Sequence, residues 1–192
     1  MNITRPLSLL VATASMSVPV VSYAQNIDAE REHWVVHSRA SEAQRIEAVD
    51  ALQQLYRETN NPAVRADLIA LLMRGGQREE ALAVCADCMP SELAADELEN
   101  LAKAARDSKK FDQAAEFYRA LQTRFPDQKI GLLGSALVAV DQGQQQQAAA
   151  DIEAYRSRFG DDGDIQSAAE YLNSQAQSQT EQLSILGKRM SA

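Results

Sequence analysis

Apolar residues recur along most of this chain at helical rather than strand spacing, and they do so in a repeating frame. Four series open on alanines 33 or 34 residues apart: Ala48, Leu52, Leu55; Ala81, Cys85, Cys88; Ala114, Tyr118, Leu121; and Ala148, Ile152, Tyr155. Each series places its members on one face of a helix. Ahead of three of them lies another apolar helix, marked by Leu68, Ile69 and Leu72, by Leu98, Leu101 and Ala102, and by Leu132, Ala136 and Ala139. A polar or glycine turn separates the two helices of each pair, at Gly75-Gly76, Ser108-Lys109-Lys110 and Gln142-Gly143. Breaks follow at Asn60-Asn61-Pro62, Met89-Pro90-Ser91, Pro126-Asp127 and Gly160-Asp161-Asp162-Gly163, where proline and glycine end helices by loss of a donor and by backbone freedom. Aligning Gln113 to Gln128 with Gln147 to Asp162, a shift of 34, gives seven identities in sixteen positions. An internal repeat explains that better than chance does.

The pattern predicts an all-α chain of about four helix-turn-helix repeats, with pairs over about 27–60, 62–89, 91–125 and 128–159. A last apolar series, Ile165, Ala168, Ala169, Leu172, Ala176, Leu183 and Leu186, predicts a terminal helix over about 164–187, with Asp164 as its N-cap. That helix suits the closing element that a stack of repeats needs, and it equally suits the first helix of a further pair. The run Gln144 to Gln147 falls at a turn and helix start and reads as a solvated face.

These residues resemble the tetratricopeptide repeat (TPR) family, which implies a TPR-like α-solenoid. The fullest copy runs from Leu98 to Pro126, with small Ala102 and Ala114 for close helix approach and Phe111 and Tyr118 between the helices. Other copies depart from it, with Leu68-Ile69 in place of the small residue and Gly160 in place of the closing proline.

The N-terminus reads differently from the rest. Leu7 to Val21 is apolar or small throughout behind Arg5, and Ser22-Tyr23-Ala24 sets small residues at the third and first places before a cut. Residues 1–24 are therefore expected to be a signal peptide cleaved between Ala24 and Gln25, its apolar run falling short of the ~20 residues of a spanning helix. The expected mature chain, 25–192, has no transmembrane segment and is exported to a bacterial periplasm. Removing Arg5, the one charged residue of the leader, takes the formal charge from −8 to −9. That balance disfavours nucleic acid as a partner, because phosphate binding needs a basic surface.

Candidate chemistry is sparse. Cys85 and Cys88 form a Cys-x-x-Cys at the end of a second helix, where the dipole disfavours a thiolate, so the open readings are buried thiols or a structural disulfide. His33 and His37 stand four apart on one face, and with the two cysteines make a formal zinc inventory. In a stacked solenoid the first helix of repeat one and the second helix of repeat two do not converge, so no metal is expected, and no cofactor either. No nucleophile, base and orienting group can be named together, so the chain reads as a binding protein and not an enzyme.

In the solenoid that the TPR resemblance implies, the first helices line a concave groove. Its candidate binding residues are His33 and His37, then Met73 and Arg74, then Asp96, Glu99, Lys103, Arg106 and Asp107, then Leu133, Leu137, Val140 and Asp141. The fourth set carries a second apolar face, Ile130, Leu133, Leu137 and Val140, to be covered either by the terminal helix or by a hydrophobic partner.

A closer resemblance lies in the order of the leader, Asn61-Pro-Ala-Val-Arg-Ala-Asp-Leu-Ile-Ala-Leu-Leu72, Gly76 with Glu80-Ala-Leu82, Phe111-Asp-Gln-Ala114 and Gly131-Leu-Leu-Gly134. This order is similar to the N-terminal periplasmic TPR region of bacterial poly-β-1,6-N-acetyl-D-glucosamine export porins. The resemblance implies binding of an amine-bearing polysaccharide, or of its deacetylase, in exopolysaccharide export and biofilm production. It also implies a place at the front of an outer-membrane barrel, of which this sequence has no strands. The alternative is a general envelope protein scaffold, in outer-membrane assembly or cell division, with no sugar binding.

Overall fold

The computed structural model describes residues 20–190, and over them the protein is all-helical, without strands among the described residues. Residues 1–19 of the expected leader lie outside the described residues, while Ala24 and Gln25 fall within the first helix. The elements are α1 (Val20–His37), α2 (Glu42–Thr59), α3 (Pro62–Arg74), α4 (Arg78–Val84), a 3-10 turn (Pro90–Glu92), α5 (Ala95–Asp107), α6 (Phe111–Arg124), α7 (Ile130–Asp141), α8 (Gln145–Phe159) and α9 (Gly163–Met190). No helix among the described residues is long and apolar enough to cross a membrane.

Local chemistry accounts for most boundaries. Ser41 accepts from the Gln44 backbone N–H at 3.2 Å and starts α2, and left-handed Asn60 (φ 49°) ends it. Asn61 accepts from the backbone N–H of Ala63 at 2.8 Å, with Pro62 at the first helical position of α3. The turns α3–α4, α5–α6 and α7–α8 are built alike. Each holds one left-handed residue, Gly76 (φ 73°), Lys109 (φ 59°) and Gly143 (φ 72°). In each, the next N–H reaches back five residues, Gln77 to Leu72 at 2.9 Å, Lys110 to Ala105 at 2.8 Å and Gln144 to Ala139 at 2.8 Å. This double closure satisfies carbonyls that the helix end leaves unpaired.

Three boundaries differ from expectation, the first being the start of α1 at Val20 and not near residue 27. α4 stops at Val84 after seven residues, against fourteen in α6 and fifteen in α8. Cys85 has already left the helical region (φ −122°, ψ 31°), a disulfide joins it to Cys88 with Cα atoms 4.9 Å apart, and Pro90, which cannot continue a helix, instead opens the 3-10 turn. At the other end Asp162, not Asp164, caps α9. Its Oδ1 accepts from the backbone N–H groups of Asp164 and Ile165, both at 3.2 Å, because the helix begins one residue earlier, at Gly163.

Every helix packs on its neighbours in the chain, and α1, α3, α5, α7 and α9 also contact one another in that order. α2, α4, α6 and α8 make no comparable contacts among themselves. The alanines that open the apolar series, Ala48, Ala81, Ala114 and Ala148, are all fully buried. A continuous apolar core runs from Ile27 through Leu52, Leu68, Leu101 and Tyr118 to Val138. Two smaller clusters follow, one around Ala136, Ile152, Tyr155, Ile165 and Ala168, the other around Ala139, Val140 and Ala148. Gly134 lets α7 approach the Tyr118 ring, since a Cβ there would lie 2.0 Å from Tyr118 Cε1.

Candidate functional site

The face shared by α1, α3, α5, α7 and α9 carries a ladder of ionic ties, each joining residues 32 to 36 apart. Arg31 donates to Asp67 at 2.6 Å, Arg65 to Glu97 at 2.7 Å, Arg106 to Asp141 at 2.5 Å and Lys129 to Asp164 at 2.7 Å, over separations of 36, 32, 35 and 35 residues. Glu97 is nearly fully buried, and its carboxylate also accepts from the Ala94 backbone N–H at 2.8 Å, holding the start of α5. Such a buried, doubly used carboxylate is an ordering device more than a ligand site, because removing either partner strands a charge.

The expected groove residues divide in the light of this ladder. Asp96, Glu99, Lys103 and Arg106 lie along one stripe of α5, but only Asp96, in the first turn, forms no ion pair among the described residues. Glu99 pairs with Lys103 at 2.5 Å, and Arg106 with Asp141, whose other oxygen accepts from Tyr171 of α9 at 2.7 Å. That bond to Asp141 raises the Tyr171 phenol pKa, with burial acting the same way. Asp107 points instead to Arg78 at the start of α4, at 2.6 Å. Met73 is half-buried against the core and Arg74 is exposed, reaching Ser38 Oγ at 3.4 Å. His33 is exposed and its ring stacks on His37 at 6.0 Å. His37 Nε2 in turn lies 2.9 Å from Glu47 Oε2. No group of three or more His, Cys, Asp or Glu is placed to hold a metal among the described residues.

The second apolar face of α7 is covered from within the chain. Leu133 and Leu137 are half-buried against the cluster that α8 and α9 supply, and Val140 is buried with Tyr171 and Leu172 packed beside it. Val140 is therefore core and not open surface. Leu183 and Leu186 of α9 lie outside the described side chains.

No protein-family model matches the chain, and no curated protein does.

Sequence reasoning missed Arg31, Arg65, Asp67, Glu97 and Tyr171. Two signals were available: charges that recur at the period of the apolar frame, and an acidic residue three places after Ala94 at a helix start. It also missed a cavity between α6 and α8, floored by α7, of about 340 Å³ and lined by Arg119, Gln122, Ser135, Gln142, Gln147 and Asp151. The same gap between alternate helices is what the lack of contact between α6 and α8 leaves open.

Proposed function

We propose that the chain is a non-catalytic, exported helical-repeat module of the tetratricopeptide type that presents a binding face to an amine-bearing exopolysaccharide during its export. The observation that carries the repeat reading is the recurrence of one turn at Gly76, Lys109 and Gly143, at intervals of 33 and 34 residues. The contacts of α1, α3, α5, α7 and α9 support it further. A stack in which one layer of helices is closer-packed than the other curves toward the closer layer, which supports reading the odd-numbered helices as the inner wall of a groove. The exopolysaccharide assignment draws on the ordered segments from Asn61 to Gly134 and on the charge of −9 expected once the leader is removed, which attracts a cationic polymer at long range.

Most of the acidic residues of the face are already paired within the chain, so Asp96 is the carboxylate with most to gain from an ammonium group. Partly de-N-acetylated β-1,6-glucosamine oligosaccharides are the probe, with titration calorimetry as readout. Binding is expected at low salt, weakening steadily as salt is raised, and Asp96→Asn together with Glu99→Gln should weaken it by about tenfold at an unchanged helical spectrum. Absence of oligosaccharide binding, with co-purification of an envelope protein from cells, would establish the scaffold alternative instead.

A further inference from the structure

Asp151 stands at a place in the repeat frame where no charge is expected. Three residues after the opening alanine, the other copies carry Ala51, Val84 and Phe117, and Phe117 is buried. Asp151 is buried too, with 8% of its surface exposed. Gln147 Nε2 donates to its Oδ1 at 2.9 Å, and its Oδ2 is buried with no hydrogen-bond partner. A buried carboxylate oxygen without a donor costs stability, and neither the helix ladder nor the apolar core needs a carboxylate there. Asp151 of α8 and Arg119 of α6, an exposed guanidinium with no ion pair among the described residues, both line the cavity between those helices. The lining also includes Ser135, Gln122 and Gln142, whose amide nitrogens donate to the Gly131 carbonyl and to Asp112, with Val138 and Ala139 as its apolar part.

We propose that this cavity is a binding site for a small zwitterion of the α-amino acid type. The ligand ammonium supplies the donor that Asp151 Oδ2 lacks, and its carboxylate meets Arg119 in a charge-assisted pair. A bare amine would gain the first contact while facing the guanidinium, and a bare acid would gain the second while facing the carboxylate. Only a molecule carrying both charges satisfies both walls. About 340 Å³ admits a free amino acid with room for a side chain against the glutamines. Oδ2 is closed to solvent in this structure, so the ammonium reaches it on a shift of the exposed Gln147 side chain, which is bonded to Oδ1.

The site is independent of the groove of α1, α3, α5, α7 and α9, so polysaccharide binding and this site fail or hold separately. The test titrates the full chain with each of the twenty free amino acids, then repeats the best binder as its N-acetyl derivative and as its methyl ester. Expected are a dissociation constant below about 10 mM for at least one amino acid, and at least about tenfold weaker binding for both derivatives. Asp151→Asn keeps the Oδ1 acceptor and turns the Oδ2 position into a donor, so it should abolish binding. Arg119→Gln, on the surface, should weaken binding about tenfold at an unchanged melting temperature. If Asp151→Asn fails to fold, the derivatives and Arg119→Gln still decide. The proposal is overturned if no amino acid binds, if the N-acetyl derivative binds as well as the parent, or if Arg119→Gln leaves the affinity unchanged.

Discussion

Asp162 gathers four donors onto one half-buried carboxylate. Lys129 Nζ at 2.8 Å and Tyr155 Oη at 2.7 Å donate to Oδ2, and the first backbone N–H groups of α9 donate to Oδ1. The Lys129 bond is the largest cause, followed by the Tyr155 bond, and together they hold the Asp162 pKa down to about 2 from its ordinary 3.8. Lys129 is raised in return, first by Asp162 and then by Asp164. Because the folded value lies below the unfolded one, the ionised carboxylate stabilises the fold above about pH 4. That contribution is lost as the pH falls through about 2. Asp162→Asn should therefore melt below the parent at neutral pH, and the gap between their melting temperatures should close between about pH 4 and pH 2. Parallel curves across that range would show that the charge at Asp162 does not matter to stability.

At the scale of elements, α9 is defined by what it covers. Leu133 and Leu137 on α7 meet the cluster of Ile152, Tyr155, Ile165 and Ala168, so two helices bury what would otherwise be an apolar stripe. Leu133→Ser with Leu137→Ser removes that apolar burial and sets hydroxyls against the cluster. The expected loss is about 2 kcal/mol or more in urea denaturation, half-buried leucines contributing somewhat less than fully buried ones. The stripe on α7 was legible in the sequence, and so was the existence of a helix after Gly163. Cover by the terminal helix and cover by a partner both stayed open, because spacing states that a face is apolar and not what it meets. The alanines at 48, 81, 114 and 148 made the helical phase readable, since a small residue in a fixed register marks close packing. Their frame also drew α4 too long, because periodicity does not see Cys85 and Cys88 closing on each other ahead of Pro90. The charged ladder was hidden for a different reason. Arg65 and Glu97 look like ordinary surface residues until the fold sets α3 against α5 and buries the pair.

At the scale of the molecule, the core is not uniform along the chain. From Ile27 to Val138 it is continuous, whereas the contacts of α7, α8 and α9 fall into two separate clusters. The polar cavity that holds Asp151 lies at that change, between α6 and α8, where apolar side chains would otherwise join the segments. What ties α7 and α9 back to the rest is largely α6 against α7, through Tyr118 over Gly134, and the polar link of Arg106, Asp141 and Tyr171. In a chain whose helices contact mainly their neighbours, stability is close to a sum of local terms, so the segment whose core is divided into two clusters sets a separate opening unit. Native-state hydrogen exchange should then find amides of α7, α8 and α9 exchanging through a partial opening of lower free energy than those of α5 and α6. Urea should lower both, and the difference should vanish near the global transition. Arg106→Ala, which cuts the link from α5 to Asp141, should lower the α7–α9 opening energy while leaving exchange in α2 and α3 as it is. A single exchange free energy shared by all helices would mean that the junction at the cavity is as strong as the continuous core.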